Sequence, residues 1–254
     1  MIIINSDDFG YSSSVNKAIY NSYQQNLISS TTTLVNFNEG FEDAINYVHK
    51  GLIDINTIGI HFNLTEGMPL TEAIKNNNTF ADINGFNGNA RKSSLFVLDK
   101  ISQEMVYNEL KAQLLKFIKA FGQKPTHIDS HHHVHTEWAI GTIVTLIAEE
   151  FDIEKIRITR NTGEENSFVK KYYRRIYNLR NRLKGIKTTN YFGDIDNMKG
   201  VVFSSKKNYE IMVHSKYINS DESLVVDMDD VCLKTKLEKL FDISSQAFNS
   251  FSDI

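Results

Sequence analysis

Short apolar runs alternate with longer stretches of helical periodicity along this chain. The apolar runs predict strands at residues 2–5, 31–36, 58–64, 126–130, 156–159, 200–204 and 209–213. The periodic stretches predict helices at 14–24, 40–50, 101–121 and 137–151, with a last helix from about Asp229. Because strands that alternate with helices are typical of βαβ units, the pattern predicts an α/β fold with a mainly parallel sheet.

Local signals add detail to this pattern. Ser12 or Ser13 is the expected N-cap of the helix at 14–24. The segment 74–94 is rich in Asn and Gly, which predicts a long loop over one rim of the fold. The helix at 101–121 is amphipathic, and its expected apolar face consists of Met105, Val106, Leu110, Leu114, Phe117, Ile118 and Phe121.

The chain shows no internal repeat, low-complexity tract or linker, so we expect residues 1–254 to form a single domain. Barrels of the α/β class commonly reach this length undivided. The composition, with 41% hydrophobic and 23% charged residues, is that of an ordinary globular protein and excludes disordered and membrane-embedded classes.

Charge and cysteine content restrict the functional classes further. The formal net charge of −3 gives no whole-chain attraction to nucleic acid, which is therefore not expected as a partner. Cys232 is the only cysteine, so neither an intrachain disulfide nor a thiolate zinc cluster can form. No signal peptide is recognisable, and no apolar run approaches the ~20 residues of a membrane span. We therefore expect no membrane span and a cytoplasmic location.

Four predicted strands end in polar residues that can bind metal ions. These strand ends carry Asp7 and Asp8, His61, the stretch 127–131, and His214. In a β/α barrel the C-terminal ends of the strands face one mouth, where active sites are assembled. The sequence therefore predicts that these side chains converge on one site.

Five of the eight histidines lie between residues 127 and 135. They are His127, His131, His132, His133 and His135. Imidazoles combined with a carboxylate bind zinc-like ions and leave coordination positions open for water and substrate. The alternative interpretation is a surface histidine run that caps the following helix.

Adjacent residues at a strand end point in different directions, so Asp7 and Asp8 can divide their roles. One could bind a metal ion while the other serves as a general base. Alternatively, the pair is a turn signal before Gly10. His61 and His214 taken singly are typical of ordinary half-buried histidines, and only the convergence of all four strand ends favours a functional site.

Several motifs occur in the order typical of one family. They are Ser6-Asp7-Asp8-Phe9-Gly10, Ser30-Thr31-Thr32-Thr33 running on to Asn36, Gly59-Ile60-His61-Phe62-Asn63-Leu64-Thr65-Glu66-Gly67, Pro125-Thr126-His127-Ile128-Asp129-Ser130-His131-His132-His133-Val134-His135, and Glu210-Ile211-Met212-Val213-His214. Together they resemble the YdjC-like carbohydrate deacetylases, which include the chitooligosaccharide (diacetylchitobiose) deacetylases. The histidine block with its Pro-Thr lead-in is the most specific of these motifs.

The resemblance implies a TIM-barrel-like (β/α) fold, regular or distorted, related to the polysaccharide deacetylases. It also implies hydrolysis of an N-acetyl group on an amino sugar with the help of one divalent metal ion. Matched motif by motif, the implied metal ligands are Asp8, His61 and His131. The implied general base is Asp7, the implied acid is His214, and the residues implied to orient the ligands are His127 and Asp129.

Two stretches depart from the family pattern. His214 is followed by Ser215, where the family typically has proline, which puts the conformation of that loop in question. Residues 170–187 contain eight Lys or Arg residues. This segment is either a solvated amphipathic helix or a basic rim for an anionic substrate, which Arg157 and Arg160 would join.

Other functions are compatible with the same residues. A barrel hydrolase could act on another amide, an ester or a phosphoester, since one fold hosts many reactions. A sugar-binding protein with a degenerate site is a non-enzymatic alternative. The expected partner is a small-molecule or oligosaccharide substrate, and a homodimer is common by base rate. The nitrogen and oxygen ligands suit Zn²⁺, Co²⁺ or Mn²⁺, and the resemblance also allows Mg²⁺.

Overall fold

A computed structural model of the chain describes residues 1–91, 97–165, 167–218, 221–243 and 246–254. Its centre is a curled parallel sheet of six strands: β1 (Ile2–Phe9), β2 (Ser30–Thr33), β3 (Ile58–Phe62), β6 (Ile128–Ser130), β7 (Tyr191–Asp194) and β8 (Tyr209–Val213). Their order across the sheet is β6-β3-β2-β1-β8-β7. The short strands β4 (Ala81–Asp82) and β5 (Gly85–Phe86) form one separate antiparallel pair, and β9 (Lys216–Ile218) and β10 (Asp221–Val226) form another. The predicted α/β barrel-like fold is thereby confirmed, and its sheet is a curled half-barrel.

Seven α-helices lie in the described part of the chain: α1 (Ser13–Gln24), α2 (Asn38–His49), α3 (Glu72–Lys75), α4 (Lys100–Phe121), α5 (Trp138–Glu150), α6 (Phe168–Leu183) and α7 (Leu233–Glu238). Ser12 caps α1, because its side chain accepts a hydrogen bond from the Val15 amide. Neighbouring helices pack on one another in the pairs α1–α2, α2–α4 and α4–α5. None of the helices among the described residues is long and apolar enough to cross a membrane.

The segment 155–161 runs between the two edge strands of the sheet. On one side the Arg157 amide donates to the Ile128 carbonyl of β6, and on the other the Asn161 amide donates to the Phe192 carbonyl of β7. Residues 156–159 of this segment were predicted as a regular strand, which is wrong: the segment forms single bridges at Lys155 and Ile156. The barrel is therefore distorted at this point, where an irregular segment links β6 to β7.

The sheet separates an apolar exterior layer from a polar interior. Ile4 of β1 and Ile60 of β3 are fully buried in the core formed with the helices. Asn5, His61 and Glu210 are equally buried but belong to the polar set. Because side chains alternate between the two faces of a strand, each strand sends its polar residues toward the inside of the barrel.

Other predictions of local structure had mixed outcomes. The expected strand at 200–204 is wrong, since Gly200 adopts a φ of +79° and the segment carries no strand. β7 was not predicted because its apolar run is only two residues long. The stretch 74–94 is more ordered than the predicted loop: it contains the end of α3 and the β4–β5 pair, and its residues 92–94 lie outside the described residues.

Candidate active site

The end of β1 turns its two aspartates to different sides. Asp8 adopts a φ of 72°, a left-handed conformation that non-glycine residues rarely take, and Gly10 follows with a φ of 89°. The pairing of β1 with β2 also shifts register between Ser6 and Phe9. As a result Asp8 contacts the histidines at the mouth of the barrel, while Asp7 faces the interior and is only 2% exposed.

Asp8, His61 and His131 meet at the mouth of the barrel. The Oδ1 atom of Asp8 lies 3.2 Å from Nε2 of His61 and 2.9 Å from Nδ1 of His131. These residues come from the ends of β1, β3 and β6, which lie on the same edge of the parallel sheet. The convergence that the sequence predicted for these three residues is thus present.

Asp129 contacts the ring nitrogen of His61 that does not face Asp8. The two residues are direct partners in the β3–β6 register, and His61 Nδ1 lies 2.6 Å from Asp129 Oδ1. The Thr32 hydroxyl donates to Asp129 and lies 3.1 Å from the same ring nitrogen. Burial alone would lower the pKa of His61, but the charges of Asp129, Asp8 and Asp7 raise it to about 10. The surroundings therefore favour positive charge at this point.

His131 begins a short 3₁₀ segment, His131–Thr136, in which His132 and His133 both have positive φ angles. Its Nε2 atom is buried without a hydrogen-bond partner among the described residues, and it lies 3.5 Å from Glu66 Oε2. A buried ring nitrogen of this kind costs free energy unless it is paired. A divalent cation fits this site, because the imidazoles of His61 and His131 and the carboxylate of Asp8 offer suitable donors, and one of the imidazoles has an unpaired nitrogen.

Arg157 lies beneath the mouth, in the interior of the barrel, and is completely buried. Its guanidinium lies 2.6 to 2.7 Å from oxygens of Asp7, Asp129 and Glu210. The expectation that Arg157 belongs to a solvent-exposed substrate rim is therefore corrected. The guanidinium is stable inside the barrel because three carboxylates pair with it there, and a buried charge must be paired.

The Arg157 network sets the charge of the interior acids. Burial would raise the pKa of Asp7, but the guanidinium holds it well below the usual range of a carboxyl group. Asn5 Nδ2 also donates to Asp7, over 2.8 Å. Burial raises the pKa of Glu210 to about 7 in spite of its contact with Arg157. Asp7 is therefore ionised and fixed in position, with both oxygens occupied by donors.

His214 follows β8, whose last residue, Val213, pairs with Ser6 of β1, so His214 and Asp7 both follow directly on this pair. The His214 amide donates to Asp227 Oδ1 over 2.9 Å. At the position where the family typically has proline, the Ser215 amide donates to the Ser6 hydroxyl, and the Ser22 hydroxyl donates to that of Ser215. These hydrogen bonds tie the His214 loop to β1 and α1, so a proline is not required to fix it.

His127 lies away from the mouth of the barrel. Its ring stacks on Phe251 with centroids 3.6 Å apart, and Nδ1 lies 2.9 Å from the Thr126 hydroxyl. Gly59 permits this packing, since a β-carbon there would approach the His127 ring to 2.5 Å. Among the described residues, none of the hydrogen bonds of His127 reaches a residue of the Asp8 cluster. The expected role in orienting the metal ligands is therefore replaced by a packing role.

Arg160 lines a cavity, and its predicted role in substrate binding stays a prediction. The cavity has a volume of about 350 Å³ and is walled by residues of the mouth and of α6. Its lining includes His133, Arg160, Lys170, Tyr173, Arg174 and Phe192. Arg160 is held by Asn197, to which Nη1 donates over 3.1 Å. Basic and aromatic side chains thus share the wall of this cavity.

Two acidic residues of the site were not assigned from the sequence. Glu66 faces His131 and His132 across the mouth, with oxygens 3.5 and 3.7 Å from their Nε2 atoms. Glu210 is fully buried in β8 next to Arg157. A charged residue inside an otherwise apolar strand was a usable signal for Glu210, because such a residue is rarely buried unless it is paired.

The fold and the cluster together define a β/α-barrel protein with a candidate metal site at the C-terminal ends of its strands. The profile of the family described as "YdjC-like protein" matches residues 1–239. The chain therefore belongs to the YdjC-like family, which confirms the resemblance seen in the sequence.

Two proteins of similar sequence are named as deacetylases. A carbohydrate deacetylase of Brevibacillus brevis is 38% identical over 154 residues, or 60% of this chain and 57% of that protein. A chitooligosaccharide deacetylase of Serratia marcescens is 35% identical over 150 residues, or 59% and 56% of the two chains. The chain thus matches less than two thirds of the length of these relatives.

A solved structure resembles the whole fold. It is that of a proposed cellobiose-phosphate cleavage protein from Enterococcus faecalis V583, with a TM-score of 0.71 and 22% identity. The likeness covers 99% of this chain and 97% of that one. It supports the barrel architecture described above.

We predict that Arg157→Met lowers the free energy of unfolding by about 3–5 kcal/mol, because three carboxylates lose their buried counter-charge. Arg160→Met is the matched control, since Arg160 is partly exposed and makes fewer contacts. It should cost less than about 1 kcal/mol. Urea denaturation of the full chain measures both values. Equal losses in the two variants would contradict the role given to Arg157.

Proposed function

We propose that this protein is a metal-dependent hydrolase that removes an N-acetyl group from an amino sugar or an oligosaccharide. The observation that carries the proposal is the meeting of Asp8, His61 and His131 at the barrel mouth, with the ionised Asp7 next to His61. The names of the relatives supply the reaction, since they are carbohydrate and chitooligosaccharide deacetylases. Extending that activity to this chain is part of the proposal.

In this proposal Asp8, His61 and His131 hold one divalent cation, and Asp129 orients His61 through its hydrogen bond to Nδ1. When bound, such a cation polarises the amide carbonyl and lowers the pKa of a water molecule. Two imidazoles and a carboxylate supply nitrogen and oxygen ligands whose softness suits Zn²⁺, Co²⁺ or Mn²⁺. The resemblance to the family also allows Mg²⁺.

Asp7 is the residue proposed to accept a proton from the attacking water. The two parallel hydrogen bonds from Arg157 fix its orientation, although they also weaken it as a base. Its contribution to the rate therefore comes largely from its position. His214 is proposed to donate a proton to the departing amine, because an amine leaves poorly as an anion.

The substrate is proposed to enter by the cavity that Arg160 lines. Tyr173 and Phe192 offer apolar surface to a sugar ring, while Lys170 and Arg174 favour an anionic substituent.

Other parts of the proposal rest on the sequence alone. They are a single domain over 1–254, a cytoplasmic location, the absence of a nucleic-acid partner, and a homodimer, which is common by base rate.

The direct test is acetate release from a panel of N-acetylated mono- and oligosaccharides, both neutral and phosphorylated. Protein stripped of metal should release little acetate, and addition of Zn²⁺, Co²⁺, Mn²⁺ or Mg²⁺ should restore release. The same panel should include acetate esters and phosphoesters. Metal-restored hydrolysis of only the phosphoesters would overturn the deacetylase proposal and favour another barrel hydrolase.

The roles of Asp7 and His131 are separable. Asp7→Asn should keep its bound metal and lose at least ~100-fold in kcat, because proton transfer is impaired while the ligands stay in place. His131→Ala should lose the metal itself, because a ligand is removed. Metal content after desalting and acetate release are measured on both variants. If both lose metal to the same extent, the proposed division of roles is incorrect.

The role of His214 as an acid depends on the leaving group. His214→Ala should lose at least ~100-fold in kcat on an acetamido sugar. The loss should be much smaller on 4-nitrophenyl acetate, because its phenolate leaves without a proton. His49→Ala is the control, since His49 lies on α2 and its ring contacts the Ala120 carbonyl. An equal loss on amide and ester would show that His214 does not protonate the leaving group.

A further inference from the structure

Helix α6 carries a stripe of exposed apolar side chains along its outer face. The stripe consists of Phe168, Tyr172, Ile176, Leu179 and Leu183, which are 89%, 68%, 39%, 54% and 79% exposed, with Val169 at its margin at 80%. Their spacing of three or four residues places them on one side of the helix. A contiguous apolar surface of this kind is uncommon on a water-soluble face and marks an interaction site.

Basic side chains run beside the stripe. Lys171, Arg175 and Arg182 are exposed along one flank of the apolar residues. The 16 residues of α6 include six Lys or Arg and no Asp or Glu. Among the described residues, no carboxylate forms an ion pair with Lys171, Arg175 or Arg182. Arg182 also donates hydrogen bonds to Thr188 and Thr189, and the positive charge of the flank is available to an anionic partner.

The opposite face of α6 fixes the helix to the barrel. The Tyr177 hydroxyl donates to the His135 carbonyl, and the Thr159 amide donates to Asn178 Oδ1 over 2.9 Å. The helix also contributes Lys170 and Arg174 to the wall of the cavity that Arg160 lines. The apolar stripe is the part of α6 that remains exposed after the helix has packed against the barrel.

We propose that α6 binds the surface of a bilayer that contains anionic lipids. The helix lies in the plane of the surface, its apolar stripe enters the headgroup region, and Lys171, Arg175 and Arg182 contact lipid phosphates. The net charge of −3 for the whole chain does not oppose this. Charges more than a Debye length away are screened, so the local positive charge of α6 decides the attraction.

Charge also argues against a second copy of the chain as the occupant of this face. In a symmetric pair each α6 would face the other, and the residues Lys171, Arg175 and Arg182 of each helix would meet with no acidic residue in either helix to pair with them. An anionic lipid surface offers both the apolar layer and the counter-charges that the face lacks. The proposal does not depend on which reaction the barrel catalyses.

Vesicle flotation of the full chain tests the proposal. The protein should float with phosphatidylcholine vesicles that contain phosphatidylglycerol, and it should not float with phosphatidylcholine alone. Raising the salt concentration should release it, because the lipid charges become screened. Absence of binding to the anionic vesicles at low salt would overturn the proposal, as would binding that ignores both lipid charge and salt.

Matched variants locate the contact. Lys171→Glu with Arg175→Glu should weaken binding to anionic vesicles at least about tenfold, and so should Phe168→Ser with Leu179→Ser. Lys206→Glu with Lys207→Glu makes the same charge change at exposed residues elsewhere and should bind like the parent chain. Circular dichroism verifies that each variant is folded. An equal loss in the control pair would assign the attraction to overall charge and overturn the proposal.

Sedimentation velocity without lipid tests for the alternative occupant. If the parent chain is a dimer that Phe168→Ser with Leu179→Ser converts to a monomer, and the parent does not bind anionic vesicles, the stripe is a contact between copies. That result would overturn the membrane proposal. A parent whose oligomeric state is unaffected by these substitutions, and which binds anionic vesicles, supports it.

Discussion

The pairing of Arg157 with three buried carboxylates is the interaction on which the interior of the barrel depends. Asp7 of β1, Asp129 of β6 and Glu210 of β8 all lie against its guanidinium. Burial of any one of these acids alone would be costly, and a single arginine offsets part of that cost for all three. The contact also joins strands from opposite sides of the sheet. It orients Asp7 and Asp129, and through Asp129 it orients the ring of His61.

This network leaves an excess of negative charge below the barrel mouth. One guanidinium faces three acids, and Asp8 adds a fourth acid nearby. Burial, with a smaller contribution from the neighbouring acids, raises the pKa of Glu210 to about 7, and the acids around His61 raise its pKa to about 10 although burial opposes this. A divalent cation among Asp8, His61 and His131 would neutralise the same charge. The stability of the interior and the affinity of the site for a cation therefore have one electrostatic cause.

Helix α6 lies between the barrel and the surface of the molecule. Its inner face is held by Tyr177 and Asn178, and Arg174 at its side reaches the cavity beside the candidate active site. Its outer face carries the apolar stripe and its basic flank.

The sequence by itself determined the strands β1, β2, β3, β6 and β8, and with them the edge at which Asp8, His61 and His131 meet, since local periodicity and parallel topology decide where the strand ends lie. It also identified the family. Only the tertiary structure decided that Arg157 lies inside, that His127 packs on Phe251, and that residues 156–159 do not form a regular strand. The physical reason is that Arg157 and Asp7 stand 150 residues apart. Whether a charged side chain is buried depends on such distant partners, which local pattern does not contain.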